Sequence, residues 1–220
     1  PPSPPGVSGT RREIRGVWLQ DLDGDKKIDL GVHRDVFTGS WFGGATEWLW
    51  ARGTGAGFEP FQTVSFGKAG FGLEPVDADG DGDSDIRLIT ADVGLGNIAR
   101  ALTSREARGD LTLVRWADGY GTGAAIRTLT FPIERFETFH LEYKGDVDGD
   151  RLLDLVTDEG GQVVKIFKGT AGALGASPAW EIAIPVSPGD DRLLVHDLTG
   201  DDRAEIVIWA AQAHISRVLP

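Results

Sequence analysis

Residues 21–29 read DLDGDKKID, and the same pattern returns at residues 77–85 (DADGDGDSD), 146–154 (DVDGDRLLD) and 197–205 (DLTGDDRAE). We call these segments loops 1 to 4 and number the nine positions of each from its first aspartate. Acidic or hydroxyl side chains recur at positions 1, 3, 5 and 9, and glycine occupies position 4 in every copy. Glycine at a fixed turn position indicates a backbone angle that a β-carbon would resist. The chain is therefore built from internal repeats.

Each loop lies between segments whose β-branched, leucine and aromatic residues are typical of strands. The first predicted strands precede the loops, at residues 17–19, 73–76, 141–143 and 193–195. The second strands follow the loops, at residues 30–32, 86–89, 155–156 and 206–209. The third strands are predicted at residues 47–50, 111–116, 163–167 and 215–219, and the fourth, after a glycine-rich turn, at 61–66, 126–131 and 180–184. Each repeat is thus predicted to be a four-stranded antiparallel meander.

Repeats of roughly 50 to 70 residues have the size of a β-propeller blade. We place the blades at about residues 15–67, 72–134, 139–187 and 192–220, so that three are complete and the fourth is partial or short. Residues 1–10, PPSPPGVSGT, are expected to form a stiff linker. One meander buries a single face poorly, so repeats must stack on one another. The predicted fold is an all-β propeller, either a small closed ring or a fragment of a larger one.

The loops are predicted to bind calcium, which prefers six to eight oxygen ligands. Alternate side chains of a tight loop point inward, so positions 1, 3 and 5 can converge, while position 7 offers its carbonyl and position 9 returns a carboxylate. The predicted ligands of loops 1 and 2 are Asp21, Asp23, Asp25, Lys27, Asp29, Asp77, Asp79, Asp81, Asp83 and Asp85. Those of loops 3 and 4 are Asp146, Asp148, Asp150, Leu152, Asp154, Asp197, Thr199, Asp201, Arg203 and Glu205. Three calcium sites are expected, and the fourth is left open because Thr199 removes a charge and Glu205 lengthens a ligand.

Other interpretations of the loops fit less well. The loops contain no thiol or imidazole, which disfavours zinc and copper, and magnesium prefers few protein ligands and retained water. An EF-hand needs a glutamate at loop position 12 and flanking helices, whereas Val32 holds that position in loop 1 and both flanks are strand-like. A dockerin-type module would likewise continue into a helix. Simple polar hairpin turns also contain Asp and Gly, but four aligned copies with one ligand spacing favour a metal.

The charge of the chain agrees with bound cations. The formal net charge is −12, and the four loops hold 17 of the 34 acidic residues. Such clustering is repulsive unless positive charge neutralises it. The same acidity argues against nucleic acid and anionic membrane surfaces as partners, because both are polyanions. The sequence has no cysteine, so no disulfide stabilises it.

The pattern DxDGDxxxD followed by Leu or Ile, with strands around it and a glycine-rich turn behind it, resembles the FG-GAP/VCBS repeat family. That family includes the integrin α-subunit propeller and many bacterial surface proteins. The resemblance extends from about residue 15 to the end of the chain. It implies a propeller, of about seven blades in most relatives, with calcium in the loops of one face. This chain is shorter, so another chain or a further segment is a candidate for completing the ring.

The resemblance and the loops together predict a non-enzymatic, calcium-stabilised interaction or adhesion module that binds a protein partner and is secreted or held at the cell surface. Weak calcium sites match extracellular calcium concentrations. No GxSxG, P-loop or histidine spacing indicates catalysis. The alternatives are a propeller-type lectin, and a non-catalytic domain of a polysaccharide-active enzyme or toxin.

The partner is expected at the end opposite the loops, where the second and third strands connect and the repeats differ. The candidate contact residues are Trp41, Phe42, Arg100, Arg105 and Arg108. Residues 97–108 are predicted to form a short helix, with Asn97 as its N-cap and Gly109 after its end. The lectin alternative would use indoles as sugar platforms, but most of the tryptophans lie in strand patterns that predict packing between blades. These are Trp18, Trp48, Trp50, Trp116, Trp180 and Trp209.

Overall fold

The computed structural model describes residues 10–38, 44–91, 102–121, 123–132, 141–157, 163–170, 173–183, 191–210 and 215–219. These residues fold as antiparallel β-structure, which confirms the predicted class. The chain divides into two compact units. Unit 1 comprises residues Pro1–Val76, Gly82–Ile98 and Gly109–Ala125, and unit 2 comprises Asp77–Asp81, Ala99–Arg108 and Ile126–Pro220. In the described part of the chain, no helix has the length and apolar character needed to cross a membrane.

The strands follow one another as meanders, so that sequence neighbours pair. The first sheet has the order β1(Thr10–Gln20), β2(Asp29–Thr38), β3(Gly44–Ala51) and β4(Gln62–Ser65), and the second has β5(Ala69–Val76), β6(Asp85–Ala91), β7(Glu106–Val114) and β8(Ala124–Pro132). The third contains β9(Leu141–Gly145), β10(Asp154–Thr157), β11(Val163–Phe167) and β14(Trp180–Ala183), beside a small hairpin of β12(Gly169–Thr170) and β13(Ala173–Leu174). The fourth contains β15(Asp191–His196), β16(Glu205–Ala210) and β17(Ile215–Leu219). Every predicted strand is present, and the four-stranded meander is confirmed in three sheets.

Two predictions about local structure are corrected. Of the described residues in the predicted helix, only 102–104 form a helical turn, and Glu106–Arg108 belong to β7. Residues 97–101 of the predicted helix lie outside the described residues. β7 starts at Glu106 and pairs with β6 from Gly109 to Val114, so the strand extends into the last residues of the predicted helix and overrides helix propensity there. Thr10, assigned to the linker, is the first residue of β1 and pairs with Thr38.

The core of unit 1 is aromatic. Trp48 and Trp50 are buried on β3 and pack with Ile86 and Leu88 of β6. The Tyr120 ring meets Trp48 edge-on, with centroids 5.9 Å apart and planes at 87°. Gly31 opposes Trp50 in the β2–β3 register, and a β-carbon built on it would lie 2.2 Å from the Trp48 indole. The Trp48 indole therefore occupies the space that a side chain at position 31 of β2 would fill, so glycine is required there.

The core of unit 2 is aliphatic and joins its third and fourth sheets. Val156, Val164 and Ile166 pack against residues of β15 and β16, including Val195 and Ile206. Full burial of each such side chain contributes about 1.5–3 kcal/mol to folding. The β-branched residues that indicated strands in the sequence thus supply the packing that holds successive sheets together within this unit.

Candidate metal-binding loops

The four loops share one backbone conformation. Glycine at position 4 is left-handed in each, with φ of 76° at Gly24, 73° at Gly80, 83° at Gly149 and 76° at Gly200. This confirms the reason given above for the repeated glycine. Position 6 is also left-handed in every loop, although only loop 2 has glycine there. The angles are 66° at Lys26, 93° at Gly82, 70° at Arg151 and 67° at Asp202.

The left-handed turn at position 6 lets its amide reach the position-1 carboxylate. Lys26 N lies 2.7 Å from Asp21 Oδ2, and Arg151 N lies 2.6 Å from Asp146 Oδ2. A left-handed residue with a side chain costs about 1–2 kcal/mol, and a hydrogen bond to a charged acceptor contributes about 1.5–3 kcal/mol. The bond can therefore offset the strain. Sequence reasoning missed position 6 because nothing in its residue types marks it.

Position 9 anchors each loop to the sheet. Asp29 is fully buried, and its Oδ2 and Oδ1 accept hydrogen bonds from Leu22 N at 2.8 Å and Gly53 N at 2.7 Å. Asp154 repeats this arrangement, with Val147 N and Gly169 N each at 2.8 Å. One carboxylate thus joins position 2 of its own loop to the backbone just beyond the third strand.

The same anchor recurs in altered form in the other loops. In loop 2, Asp85 Oδ1 accepts the Trp116 amide at 2.9 Å. In loop 4, the longer Glu205 accepts the Leu198 amide at 2.7 Å and the Thr199 hydroxyl at 3.1 Å. The aspartate-to-glutamate change therefore preserves the bond to position 2, and the second oxygen of Glu205 accepts the hydroxyl that replaces the position-3 aspartate.

Three carboxylates converge in every loop, with ligand atoms of each group within 4.8 Å of one another. The groups are Asp21, Asp23 and Asp29; Asp77, Asp79 and Asp81; Asp146, Asp148 and Asp154; and Asp197, Asp201 and Glu205. Most of the predicted acidic ligands are thus brought together by the fold.

The remaining predicted ligands lie outside these carboxylate groups. Asp25 Oδ1 and Asp150 Oδ1 instead accept the amides of Lys27 at 2.8 Å and Leu152 at 2.9 Å. Asp83, Asp85 and Thr199 are likewise not members, and the carbonyls of Lys27, Leu152 and Arg203 stay predictions. Position 5 therefore shapes the turn in loops 1 and 3 and joins the carboxylate group in loop 2. In loop 4 it does both, since Asp201 also accepts the Arg203 amide at 3.1 Å.

The donor set fits a hard divalent cation. All converging atoms are carboxylate oxygens, the ligands that calcium prefers. Among the described residues, Asp21 Oδ1 is buried and accepts no hydrogen bond, although its partner oxygen does. A buried polar atom left unpaired costs about 1–3 kcal/mol, and a cation beside it would remove that cost. Calcium would be held in loop 1 by Asp21, Asp23 and Asp29.

The surroundings move the pKa values of the carboxylates in opposite directions. Burial raises the pKa of Asp154, although the amides of Gly169 and Val147 oppose this change. The Gly200 amide holds the pKa of Asp197 below its usual range. A cation in either loop would favour the charged form of its carboxylates. Metal affinity should therefore weaken as the pH falls toward the carboxylate range.

Successive loops are joined through their backbones. The amide at position 8 of one loop donates to a carbonyl near the start of the preceding loop. Within unit 1, Ser84 N lies 2.9 Å from Leu22 O. Within unit 2, Leu153 N lies 3.1 Å from Ala78 O, and Ala204 N lies 2.6 Å from Asp146 O. These bonds involve only backbone groups, so no side-chain pattern in the sequence could have predicted them.

Basic side chains accompany the acidic groups, and sequence reasoning overlooked them. Arg52 Nε pairs with Asp23 Oδ2 in loop 1, and Lys168 Nζ pairs with Asp148 Oδ2 in loop 3. Each basic residue follows the third strand of its repeat and precedes the glycine that donates to position 9. The recurrence of Arg-Gly and Lys-Gly after that strand was the available signal.

Most of the predicted partner-binding residues lie beyond the described chain. Trp41, Phe42 and Arg100 fall outside the described residues. Arg105 and Arg108 are exposed, and Arg105 is left-handed with φ of 56°. The register of β2 and β3 runs from Leu30–Ala51 beside loop 1 to Phe37–Gly44, so the connection between these strands lies at the end opposite the loop.

The tryptophans divide into core and surface residues. Trp48 and Trp50 are buried in unit 1 as predicted, and Trp18 and Trp116 are half-buried against the same core. Trp180 differs, because 41% of it is exposed. The side chain of Trp209 lies outside the described residues.

No family model matches the chain, and no curated protein matches it. Among solved structures, the crystal structure of rhamnogalacturonan lyase YesW aligns with a TM-score of 0.55 and 18% sequence identity. The alignment covers 99% of this chain and 44% of that chain. At this identity the likeness shows the fold alone. The chain spans less than half the length of that lyase.

Proposed function

We propose that this chain is a calcium-binding module of the FG-GAP/VCBS repeat type, in which calcium stabilises the joints between strands. The observation that carries the proposal is the convergence of three carboxylates in each of four loops with one shared backbone conformation. Bound calcium supplies positive charge and oxygen coordination at the point where the first two strands of a repeat meet. Because position 9 also anchors the sheet, ligand binding and fold stability are linked.

The stabilisation by calcium can be measured directly. At calcium concentrations a hundredfold above the dissociation constant, each site adds about 2.7 kcal/mol to the free energy of unfolding. The chelated full-length chain should show a rise in Tm when calcium is added, a smaller rise with magnesium, and at least three sites by calorimetry. Asp23→Asn should remove one site. Asp118→Asn, which removes an exposed carboxylate outside the loops, should bind like the wild type. The absence of both binding heat and a Tm shift would refute the proposal.

We further propose that the repeats are consecutive propeller blades. Ile86 and Ile206 follow position 9 of loops 2 and 4, and both are buried against the preceding sheet of their own unit. The equivalent Leu30 of the first sheet is half-buried, and Val17 and Leu19 on the same face are 57% and 62% exposed. This apolar face is where another blade, from a further segment or another chain, would pack. The mass in solution, measured with and without a chelator, would show whether the chain assembles.

The proposed role of the module is to bind a protein partner outside the cell, at the end opposite the loops. Of the candidate contact residues, Arg105 and Arg108 are described and exposed, which supports this role. A second candidate is a domain of a polysaccharide-active protein, which the likeness to a rhamnogalacturonan lyase favours. Because that neighbour is an enzyme, the second candidate includes a catalytic role, against the expectation that the chain is not an enzyme.

The two candidates differ in a binding assay. An array of glycans that includes rhamnogalacturonan should give no signal if the module recognises protein. Binding to a pectic polysaccharide would favour the second candidate, and so would cleavage products with an unsaturated end. A lectin would instead bind simpler sugars at several equivalent sites. Each assay should be run in calcium and in chelator, because all three functions use the same stabilised fold.

A further inference from the structure

The basic residues beside loops 1 and 3 occupy equivalent places in their repeats. Arg52 is the first residue after β3, and Lys168 is the first residue after β11. The next residue in each case, Gly53 or Gly169, donates its amide to the position-9 carboxylate. The basic side chain is thereby fixed beside the loop by the same anchor that holds the carboxylate group together.

Each basic side chain contacts the position-3 oxygen that the loop leaves available. Asp23 Oδ1 accepts the Asp25 amide at 3.2 Å, and Asp148 Oδ1 accepts the Asp150 amide at 3.2 Å. The second oxygen, Oδ2, pairs with Arg52 in loop 1 and with Lys168 in loop 3. A divalent ion that binds the position-3 aspartate through Oδ2 therefore competes with the basic side chain that is already paired with this oxygen.

Resting on the calcium-binding function proposed above, we propose that Arg52 and Lys168 are built-in counter-cations. They hold the position-3 carboxylate while the loop is free of metal, and calcium must displace them to bind. They lower the repulsion among clustered carboxylates in the metal-free protein and at the same time weaken its affinity for calcium. The metal-free loop is kept in its binding conformation instead of opening.

Each counter-cation has a second contact that would retain it after displacement. The Arg52 guanidinium carbon lies 5.9 Å from the Trp116 ring centroid, and Lys168 Nζ lies 5.3 Å from that of Trp180. Cations within about 6 Å of an indole face are attracted to its electron density. The released side chain can therefore stay beside the indole, so displacement does not expose an unpartnered charge.

The other two loops carry variations of this arrangement. Arg115 is the first residue after β7, and its Nε lies 3.6 Å from Asp85 Oδ2, at position 9 of loop 2. Loop 4 has the uncharged Thr199 at position 3, and its hydroxyl bonds to Glu205. A basic residue thus follows the third strand beside loops 1, 2 and 3. It contacts the position-3 aspartate in loops 1 and 3 and the position-9 aspartate in loop 2.

The test compares calcium binding and metal-free stability in charge variants of the full chain. Arg52→Gln and Lys168→Gln remove the charge and keep a hydrogen-bonding side chain of similar length. In the double variant, the calcium midpoint of the two affected sites should fall about fivefold, which is about 1 kcal/mol. Its Tm in chelator should fall below that of the wild type. The control Arg11→Gln with Arg12→Gln makes the same charge change at exposed residues outside the loops, and should alter neither quantity.

The outcomes separate this inference from the proposed function. If the wild type binds calcium and the double variant binds it with unchanged or weaker affinity, calcium does not have to displace Arg52 and Lys168, and the inference is overturned. A wild-type chain that binds no calcium overturns the proposed function and, with it, this inference. Arg52→Lys keeps the charge and should bind calcium like the wild type. If its calcium affinity instead rose as much as that of Arg52→Gln, side-chain shape and not charge would set the affinity, and the inference would also be overturned.

Discussion

Replacing the position-9 aspartate of loop 1 should destabilise unit 1 even when no metal is bound. Asp29 is 0% exposed, and its two oxygens accept the amides of Leu22 and Gly53 at 2.8 and 2.7 Å. Asp29→Asn keeps the shape but turns one acceptor into an NH2 group, which cannot accept either amide. One hydrogen bond is lost, and two donors face each other in a dry site.

The size of the effect follows from these two bonds. A hydrogen bond to a charged acceptor contributes about 1.5–3 kcal/mol, and a buried donor left unpaired adds to the loss. We therefore expect Asp29→Asn to lower the free energy of unfolding by about 2–3 kcal/mol and Asp29→Ala by about 3–5 kcal/mol. Such losses are a large part of the free energy of unfolding of a typical domain, which is roughly 5–15 kcal/mol.

The measurement is urea unfolding in chelator with tryptophan fluorescence as the signal, because Trp48 and Trp50 are buried in the same unit. Asp118→Asn, an exposed change outside the loops, should stay within about 0.5 kcal/mol of the wild type. A loss for Asp29→Asn of the same small size in chelator would refute the anchoring role. If Asp29→Asn lowered the free energy of unfolding only in the presence of calcium, Asp29 would act as a metal ligand and not as an anchor.

Three further predictions concern backbone strain, pH and the fourth loop. Lys26→Gly should raise the free energy of unfolding by about 0.5–1 kcal/mol, because it removes the strain of a side chain on a left-handed residue. Lys27 is not left-handed, so Lys27→Gly should lower the free energy of unfolding. Urea unfolding measures both. Burial lowers the pKa of His33 below its ordinary 6.5, so the unfolded chain binds a proton that the folded chain does not. Stability should therefore fall as the pH decreases from about 7 to 5.5, and His33→Gln should flatten that part of the curve. Thr199→Asp adds a carboxylate beside Glu205, so it should lower the metal-free Tm and tighten calcium binding to loop 4 about tenfold; a titration that leaves loop 4 unchanged would contradict this.

The repeat could be predicted because its signals are local. Strand residues alternate with a fixed turn, and Gly24 and its equivalents occur where the backbone is left-handed. The helix predicted at residues 97–108 was wrong at Glu106–Arg108, because helix propensity is also local and these residues belong to a strand that pairs with β6 from Gly109 onward. Equivalent positions can also differ in burial, since Ile86 has a neighbouring sheet in its unit and Leu30 on the first sheet is only half-buried.

By itself the sequence determined the all-β class, the strand order within each repeat and the acidic residues that gather in each loop, because these depend on residue type and spacing. Only the tertiary structure decided which oxygens remain for a cation. Asp23 has two equal oxygens in the sequence, but in the fold one accepts an amide and the other pairs with Arg52, 29 residues away. The amide belongs to Asp25, two residues along the chain, but Arg52 reaches Asp23 only because the fold places the end of the third strand beside the loop.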